Sequence, residues 1–356
     1  MISKNRILIL TPTALPTVTG NAMTVERWRR SLKKKDFVVE VAATDPLRVA
    51  DLLGRIDRFQ PDLIHLHHAF RAGALLLDPR IISLCTDLPL IVSPAGTDIY
   101  LDLENPERKE TVIRILDTAR AIVAQDPGTE RRLKKLLPQK AGRIIRVPKA
   151  SIWLGRDPYD LRTVAGCHPE DVLFFLPAGI RPVKGNLETL MAMKGVRAHR
   201  PNVRVIFAGP DLDSDYALWF KQEVARLYSF ARWIPLIPPE AMCSAFEAAD
   251  VVLNTSFSEA LSNSLMEAIA AGRPILASDI PGNRLPVLGE NGDLPAGYLF
   301  NPLDREDLIR HAIKLIDDHG MRQVFSQAGR SRAAQWPTPE EEAEGLMAAY
   351  ETALAF

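Results

Sequence analysis

Four charged side chains in the second half of the chain have the types and spacing to hold a ligand that is both phosphorylated and rich in hydroxyls. Arg181 and Lys184 lie in PAGIRPVKG (177–185), directly after an apolar run. A planar guanidinium fork and a point-charge ammonium beside a glycine turn suit a diphosphate whose charge grows as it leaves. Ordinary cations at a helix entry are the plain alternative. Glu259 and Glu267 fall in SFSEALSNSLMEA (256–268) with seven residues between them. Ser258, Ser262, Asn263 and Ser264 are cap-forming residues, and the following LMEAIAAG is helix-forming until Gly272 supplies a stop. Glu259 is therefore expected before the helix and Glu267 inside it. The amides around Ser262, Asn263 and Ser264 at the helix start suit an anion, while the carboxylates suit vicinal hydroxyls. A nucleotide sugar offers both, and for Glu267 a solvated helix position is the bland alternative.

The first half offers weaker candidates. Gly20 and Asn21 in TGNAMT are expected in a loop after the first strand, ahead of a helix starting near Thr24. Gly lacks a Cβ and Asn tolerates left-handed turns, so such a loop can approach phosphate closely, or can be a plain strand-to-helix turn. Thr97 and Asp98 in AGTDIY follow the strand PLIVSP; Asp98 either caps a helix or contacts the acceptor or transferred sugar. In HLHH, His65 and His67 share a strand face and His68 faces away. With no acid or cysteine at ligand spacing beside them, histidines lining a cleft are favoured over zinc, and no metal site is expected. DLDSD (211–215) contains a DxD, but it follows FAGP and opens a helix, which favours N-capping. The basic run ERRLKKLL (130–137) has no aromatic anchor, so a solvated helix face is favoured over membrane contact.

These residues need elements to position them. Apolar runs alternate with amphipathic stretches: RILIL, then TVERWRRSLKKK; DLIHLHH; PLIVS; AIVAQ, then TERRLKKLL; RIIRVP. Strand and helix signals in alternation predict a parallel sheet covered on both faces. After an irregular Pro- and Gly-containing stretch, GRDPYDLRTVAGCHPED, the pattern restarts with VLFFLPAG, VRVIFAG, ARWIPLI, VVLNTS and PILASD as strands. The expected fold is α/β, two Rossmann-like doubly wound domains facing a cleft: residues 1–165, then 166–336, with a C-terminal helix over 337–356 packing back onto the first. Ligands in such sheets bind beyond the carboxyl ends of the strands. The motifs quoted above occupy those loops.

Composition narrows the function classes. The 356 residues, 47% of them apolar, can bury two cores. The 44 basic and 44 acidic residues cancel, which argues against a nucleic-acid partner held through many phosphates. Cys85, Cys167 and Cys243 are odd in number and far apart, so neither a disulfide framework nor a CxxC metal site is expected, and a reducing compartment fits. The apolar run Ile7–Leu10 is only a strand's length, and no stretch reaches the roughly 18 apolar residues of a membrane span. A soluble, cytoplasmic protein is expected.

PAGIRPVKG, FAGPD (207–211), SFSEALSNSLMEA, ASDIPGN and AGYLFNPLDREDL, in this order and spacing, resemble the donor-binding half of a family 4 glycosyltransferase of GT-B architecture. TGNAMTVERW, HLHHAFRAG and AGTDIYLDL are similar to segments of glycosyltransferase 1 domain-containing proteins and of bacterial selenosugar synthases. The resemblance implies a retaining glycosyltransferase. Arg181 and Lys184 would stabilise the leaving group, Glu259 would orient donor-sugar hydroxyls, and Glu267 would bind the ribose. Gly20, Asn21, Gly179, Ser262, Asn263 and Ser264 would line the nucleotide, and Thr97, Asp98 and His67 the acceptor side. This chain departs from its relatives in three places: Ala260 stands where Gly often follows the first glutamate, Ala95 near the position of a sugar-contacting histidine, and Leu236 where Gly is common.

The expectation is therefore a metal-independent, retaining transfer from a nucleoside-diphosphate sugar, with UDP the commoner base, to a small-molecule or glycan acceptor and with no other cofactor. Similarity to selenosugar synthases brings in selenophosphate as one conceivable acceptor. Two rivals stand beside this. An epimerase or hydrolase of the same fold would need an acid and base, for which His65, His67, Asp98 and Glu104 are the candidates. A catalytically silent nucleotide-binding subunit would bind without turnover.

Overall fold

The computed structural model describes residues 6–355 apart from 46, 86, 152 and 291. The chain forms two compact units, Met1–Ala150 with Pro337–Phe356, and Ser151–Trp336. In chain order the first contains β1 (Arg6–Thr11), α1 (Gly20–Lys33), β2 (Val38–Ala43), α2 (Val49–Phe59), β3 (Leu63–His67), α3 (Pro79–Leu84), β4 (Leu90–Ser93), α4 (Thr97–Tyr100), α5 (Pro106–Thr118), β5 (Ala121–Ala124), α6 (Pro127–Leu136) and β6 (Ile144–Arg146). The second contains α7 (Leu161–Ala165), β7 (Val172–Pro177), α8 (Asn186–His199), β8 (Val203–Ala208), α9 (Ser214–Arg226), β9 (Ala231–Ile234), α10 (Met242–Ala248) and β10 (Val251–Asn254). It continues with α11 (Asn263–Ala270), β11 (Ile275–Ser278), α12 (Pro281–Leu288), β12 (Gly297–Phe300), α13 (Arg305–Asp317) and α14 (His319–Ala333), and α15 (Pro339–Leu354) returns to the first unit.

Each unit is built on a six-stranded sheet, β2-β1-β3-β4-β5-β6 and β12-β11-β10-β7-β8-β9, with every strand pair parallel. Continuous apolar strands follow from burial on both faces. In β7, Val172, Phe174 and Leu176 enter one core while Leu173 and Phe175 enter the other. In β1, Leu8 and Leu10 face one layer, and Ile7 and Ile9 the opposite one. Counted within its own unit, the second sheet has the order 3-2-1-4-5-6, and its direction of winding reverses between β7 and β10. A ligand crevice belongs at that reversal.

Two sequence expectations change. Residues 151–165, read as the end of the first domain, pack with the second: Leu161 and Ala165 are buried among Leu173, Ile206 and Phe246. The helix after β1 starts at Gly20, not near Thr24, because the Thr19 hydroxyl accepts from the amide of Ala22 and caps it there. Gly20 and Asn21 are thus first-turn helix residues rather than loop residues. The C-terminal helix α15 lies in the first unit, where Ala343, Leu346, Ala349 and Tyr350 share a core with Ile7, Ile9 and Trp28. Glu342 anchors it at 1% exposure, accepting from Arg27 at 2.6 and 3.0 Å, from Trp28 Nε1 at 3.0 Å and from Gln125 at 3.0 Å.

Candidate functional site

The loops after β7 and β10 flank the reversal point of the second sheet and are stitched to each other. After β7 the chain runs through Gly179 and Arg181 into a single tight turn, Pro182–Lys184, and enters α8 through Gly185. Gly185 holds φ +63°, and a Cβ there would lie 2.6 Å from the Thr255 carbonyl oxygen. Only glycine meets both demands. The amide of Phe257 donates to the Val183 carbonyl at 2.9 Å, and the Thr255 hydroxyl donates to the Lys184 carbonyl at 3.0 Å. Thr189 supports Thr255 from α8 at 2.7 Å.

This stitching sets Lys184 against Glu259. Their ammonium and carboxylate form an ion pair with side-chain exposures of 17% and 16%. The Ser256 hydroxyl donates to the same carboxylate oxygen at 2.9 Å. Burial pushes the Glu259 carboxyl up, but Lys184, the Ser256 hydrogen bond and the more distant Arg181 outweigh it, so the group is held below the usual carboxylate range. Arg181 is half-buried in the same loop, and its amide donates to Asn186 Oδ1 at 3.3 Å. Arg181, Lys184 and Glu259 are therefore gathered at one place.

As expected, Glu259 precedes α11 and Glu267 lies within it, half-buried, and Gly272 ends it at φ +64°. Ser262 takes the N-cap position, yet its hydroxyl does not cap. It accepts from Asn254 Nδ2 at 2.9 Å and pairs with Ser264 Oγ at 2.9 Å. Behind these loops lies a buried polar brace for which the sequence reading named no role. Asn283, fully buried near the start of α12, donates to the Ser278 carbonyl at 3.0 Å. Ser278 in turn donates to the Ser256 carbonyl at 2.5 Å. A Cβ on the neighbouring Gly282 would lie 1.6 Å from the Ala260 carbonyl oxygen, so α12 packs directly on the Glu259–Ala260 backbone. Asn254 and Ser278 close otherwise apolar strands and Asn283 lies in the first turn of α12, but their residue types alone do not mark them as buried struts.

In the first unit the candidates are already engaged. His67 is 2% exposed, contacts the Ser93 carbonyl at 3.1 Å and meets Trp28 edge-on. His65 is fully buried, stacked on Trp28 at 4.7 Å, with Tyr350 Oη at 2.8 Å and Ser93 Oγ at 2.7 Å on its two nitrogens. Burial lowers His65 to about 3 and His67 well below its usual value. His65 is thus a core residue and not part of a cleft lining. Asp98, also fully buried, accepts from the amides of Ala69 (2.7 Å), Ala95 (3.0 Å) and Gly96 (2.8 Å). It ties the loops after β3 and β4 together instead of capping a helix, and His68 Nε2 meets Thr97 Oγ1 at 2.9 Å. Glu104 pairs with Arg132.

The remaining motifs settle into ordinary roles. Asp213 of the DxD caps α9, accepting from Tyr216 at 3.1 Å, and Asp211 pairs with Lys221 at 2.8 Å. In the basic run, Lys134 pairs with Glu130 at 2.7 Å and Arg132 donates to the Ile99 carbonyl at 3.0 Å. Leu236 is 50% exposed. Among the described residues there is no group of three His, Cys, Asp or Glu able to hold a metal ion, and no helix long and apolar enough to cross a membrane.

Comparison with known proteins bears on what such a site does. Residues 163–332 match the family model described as glycosyl transferases group 1. Glycosyltransferase 1 domain-containing protein 1 of Xenopus tropicalis is 25% identical over 332 residues, covering 88% of each chain. Sucrose-phosphate synthase of Thermosynechococcus elongatus has a similar structure, with a TM-score of 0.77 at 18% identity over 99% of both chains. Anabaena HepE in complex with UDP-glucose gives a TM-score of 0.76 at 17% identity, over 98% of this chain and 99% of that one. At such identities the likeness in structure carries the fold, which is GT-B.

Proposed function

Through residues 163–332 this chain belongs to the glycosyl transferases group 1 family, and from that premise we propose a retaining, metal-independent transfer from a UDP-sugar. The observation that carries the reading is the grouping of Arg181, Lys184 and Glu259 beside the switch point of the second sheet. Lys184 and Arg181 meet the diphosphate and stabilise the charge that builds on it as it departs. Glu259 accepts from hydroxyls of the sugar, Glu267 from those of the ribose, and the start of α11 faces the phosphates. Gly179, Ser262, Asn263 and Ser264 line the nucleotide.

The acceptor oxygen bonds to the anomeric carbon on the face from which the diphosphate leaves. As that carbon–oxygen bond breaks, the acceptor's proton passes to the departing phosphate oxygen. The protein supplies position and charge, and no side chain is asked to form a covalent intermediate. UDP is supported by the likeness to HepE, whose structure contains UDP-glucose. An epimerase reading is disfavoured because its acid and base candidates are committed: His65 and His67 in the core, Asp98 to three amides, Glu104 to Arg132.

The test is a melting screen of nucleoside diphosphates, followed by nucleotide sugars assayed for hydrolysis and transfer with and without a chelator. UDP should raise the melting temperature by mass action. Turnover of a UDP-sugar should survive chelation and give a product with the donor's anomeric configuration by proton NMR. Binding without any turnover would favour a silent nucleotide-binding subunit, and no shift with any nucleotide would end the reading.

A further inference from the structure

Ser256 has no role in the transfer just described, yet each of its polar groups is committed. Its amide donates to Asn254 Oδ1 at 3.2 Å, its carbonyl accepts from Ser278 Oγ at 2.5 Å, and its hydroxyl donates to Glu259 Oε1 at 2.9 Å. Lys184 Nζ donates to that same oxygen. At 2% exposure Ser256 lies too deep to meet a ligand. Among the described residues, both hydrogen bonds to the Glu259 carboxylate fall on Oε1 and none on Oε2.

We propose that Ser256 is a positioning residue: together with Lys184 it fixes Oε1 of Glu259 and so presents Oε2 to a hydroxyl of the transferred sugar. The proposal rests on the donor-site reading of Glu259. The terminal torsion of a glutamate is broad and roughly two-fold, so one contact leaves the carboxylate free to pivot. A second donor on the same oxygen, from a different direction, sets the plane of the group. Lys184 is a flexible point charge and cannot do this alone. Ser256 can, because its backbone is pinned from both sides by Asn254 and Ser278. The brace through Asn283 and Ser278 then acquires a purpose: it carries the rigidity of α12 and β11 into one carboxylate.

Calorimetric titration separates the sugar from the diphosphate. The ligands are UDP and UDP-glucose, or the nucleotide pair that the melting screen selects. The proteins are wild type, Ser256→Ala, Glu259→Gln and the double variant. With Ser256→Ala, UDP should bind within about two-fold of wild type, while UDP-glucose weakens about five- to ten-fold, less than the loss of a whole charge-assisted hydrogen bond because Glu259 itself remains. In the Glu259→Gln background, the alanine should have no further effect on UDP-glucose, since a residue that acts only through another is non-additive with it. Ser256→Thr, which keeps the hydroxyl, should restore discrimination. The pH below which UDP-glucose binding fades should also move upward in Ser256→Ala, because Glu259 loses one donor while Lys184 and Arg181 remain. Equal weakening of UDP and UDP-glucose, additivity with Glu259→Gln, or no effect at all would each overturn the proposal. If wild type binds neither member of any pair, the donor-site reading itself falls and takes the proposal with it. Should the alanine variant not fold, Ser256→Cys, a weaker donor of similar size, serves the same comparison.

Discussion

Lys184 and Glu259 neutralise each other across two loops, and the ammonium, with three donors, can meet the diphosphate of the proposed donor without leaving the carboxylate. Removing the ammonium therefore has two consequences that can be read separately. Lys184→Met should lower kcat about 10²- to 10³-fold, the usual loss when one stabilising group is taken from a developing oxyanion. It should also raise the Glu259 carboxyl, since burial then faces only Ser256 and the more distant Arg181. A carboxylate held low is ionised down to its depressed value and is lost to protonation as pH falls through it. In the variant that loss comes at higher pH, so the acid limb of the rate profile should move toward neutrality. A limb that stays where it was would mean Glu259 is not the titrating group. The sequence named Lys184 and Glu259 as separate binders, and their types were legible from the motifs. Their pairing was not, because it joins residues 75 apart, and neither was the brace of Asn254, Ser256, Ser278 and Asn283. Asparagine and serine at strand ends carry no mark that tells a buried strut from a loop residue. Asp98 and His65 pose the opposite difficulty: their types suggest chemistry, and the sequence does not show that Asp98 ties two loops together or that His65 bridges β4 and α15.

At the level of elements, the reading depended on period and punctuation. Alternating strand and helix signals placed five strands of each sheet and left out one edge strand of each, β2 and β12, while the run LMEAIAAG ended where Gly272 adopts φ +64°. In TGNAMT the glycine was read as a loop mark, although Thr19 ahead of it is the stronger signal for a helix start. The reading did not name α14, whose sequence carries Gly320 and Gly329, residues that weaken any helix signal. Gly329 has a packing reason, since a Cβ there would come within 3.2 Å of Ile269 on α11. Gly185 is the position where an element and the site meet. Gly185→Ala forces a Cβ into a left-handed conformation, at about 1–2 kcal/mol, and against a backbone oxygen that side-chain motion cannot relieve. The melting temperature should fall by roughly 5 °C or more. UDP binding should weaken as well, because the turn that carries Lys184 must move away from Thr255. Gly54→Ala is the control: it sits in α2 with nothing near its Cβ and should be neutral or slightly stabilising. Equal melting temperatures for the two variants would show that the Gly185 turn is not under this constraint.

Over the whole chain, the first unit is closed by its own C-terminus. Arg27 and Glu342 are 315 residues apart in sequence, each nearly inaccessible, and hydrogen-bonded through two guanidinium nitrogens, Nε and Nη2, and both carboxylate oxygens. Such a pair is costly to break, because the survivor is left as a buried charge. His65 sits in the same core, bridging β4 through Ser93 and α15 through Tyr350. It must stay neutral there, and that makes the unit's stability depend on pH. In the unfolded chain a histidine takes up its proton near pH 6.5, whereas folded His65 does so only at about 3. Between these values the unfolded state binds more protons, so stability rises with pH and is lost as pH falls from 6.5. Each such histidine contributes a slope approaching 1.4 kcal/mol per pH unit, and His67 adds in the same direction. From pH 6.5 to 5, above the range where most carboxylates titrate, His65 alone should remove about 2 kcal/mol. Urea denaturation at pH 7.5, 6.5, 5.5 and 5.0, followed by tryptophan fluorescence, measures this. His65→Gln can still bond to one of its two partners but has no proton to gain. It should be less stable than wild type at pH 7.5 and lose stability less steeply toward pH 5. If the two proteins lost stability in parallel, acid sensitivity would have to come from groups outside this core.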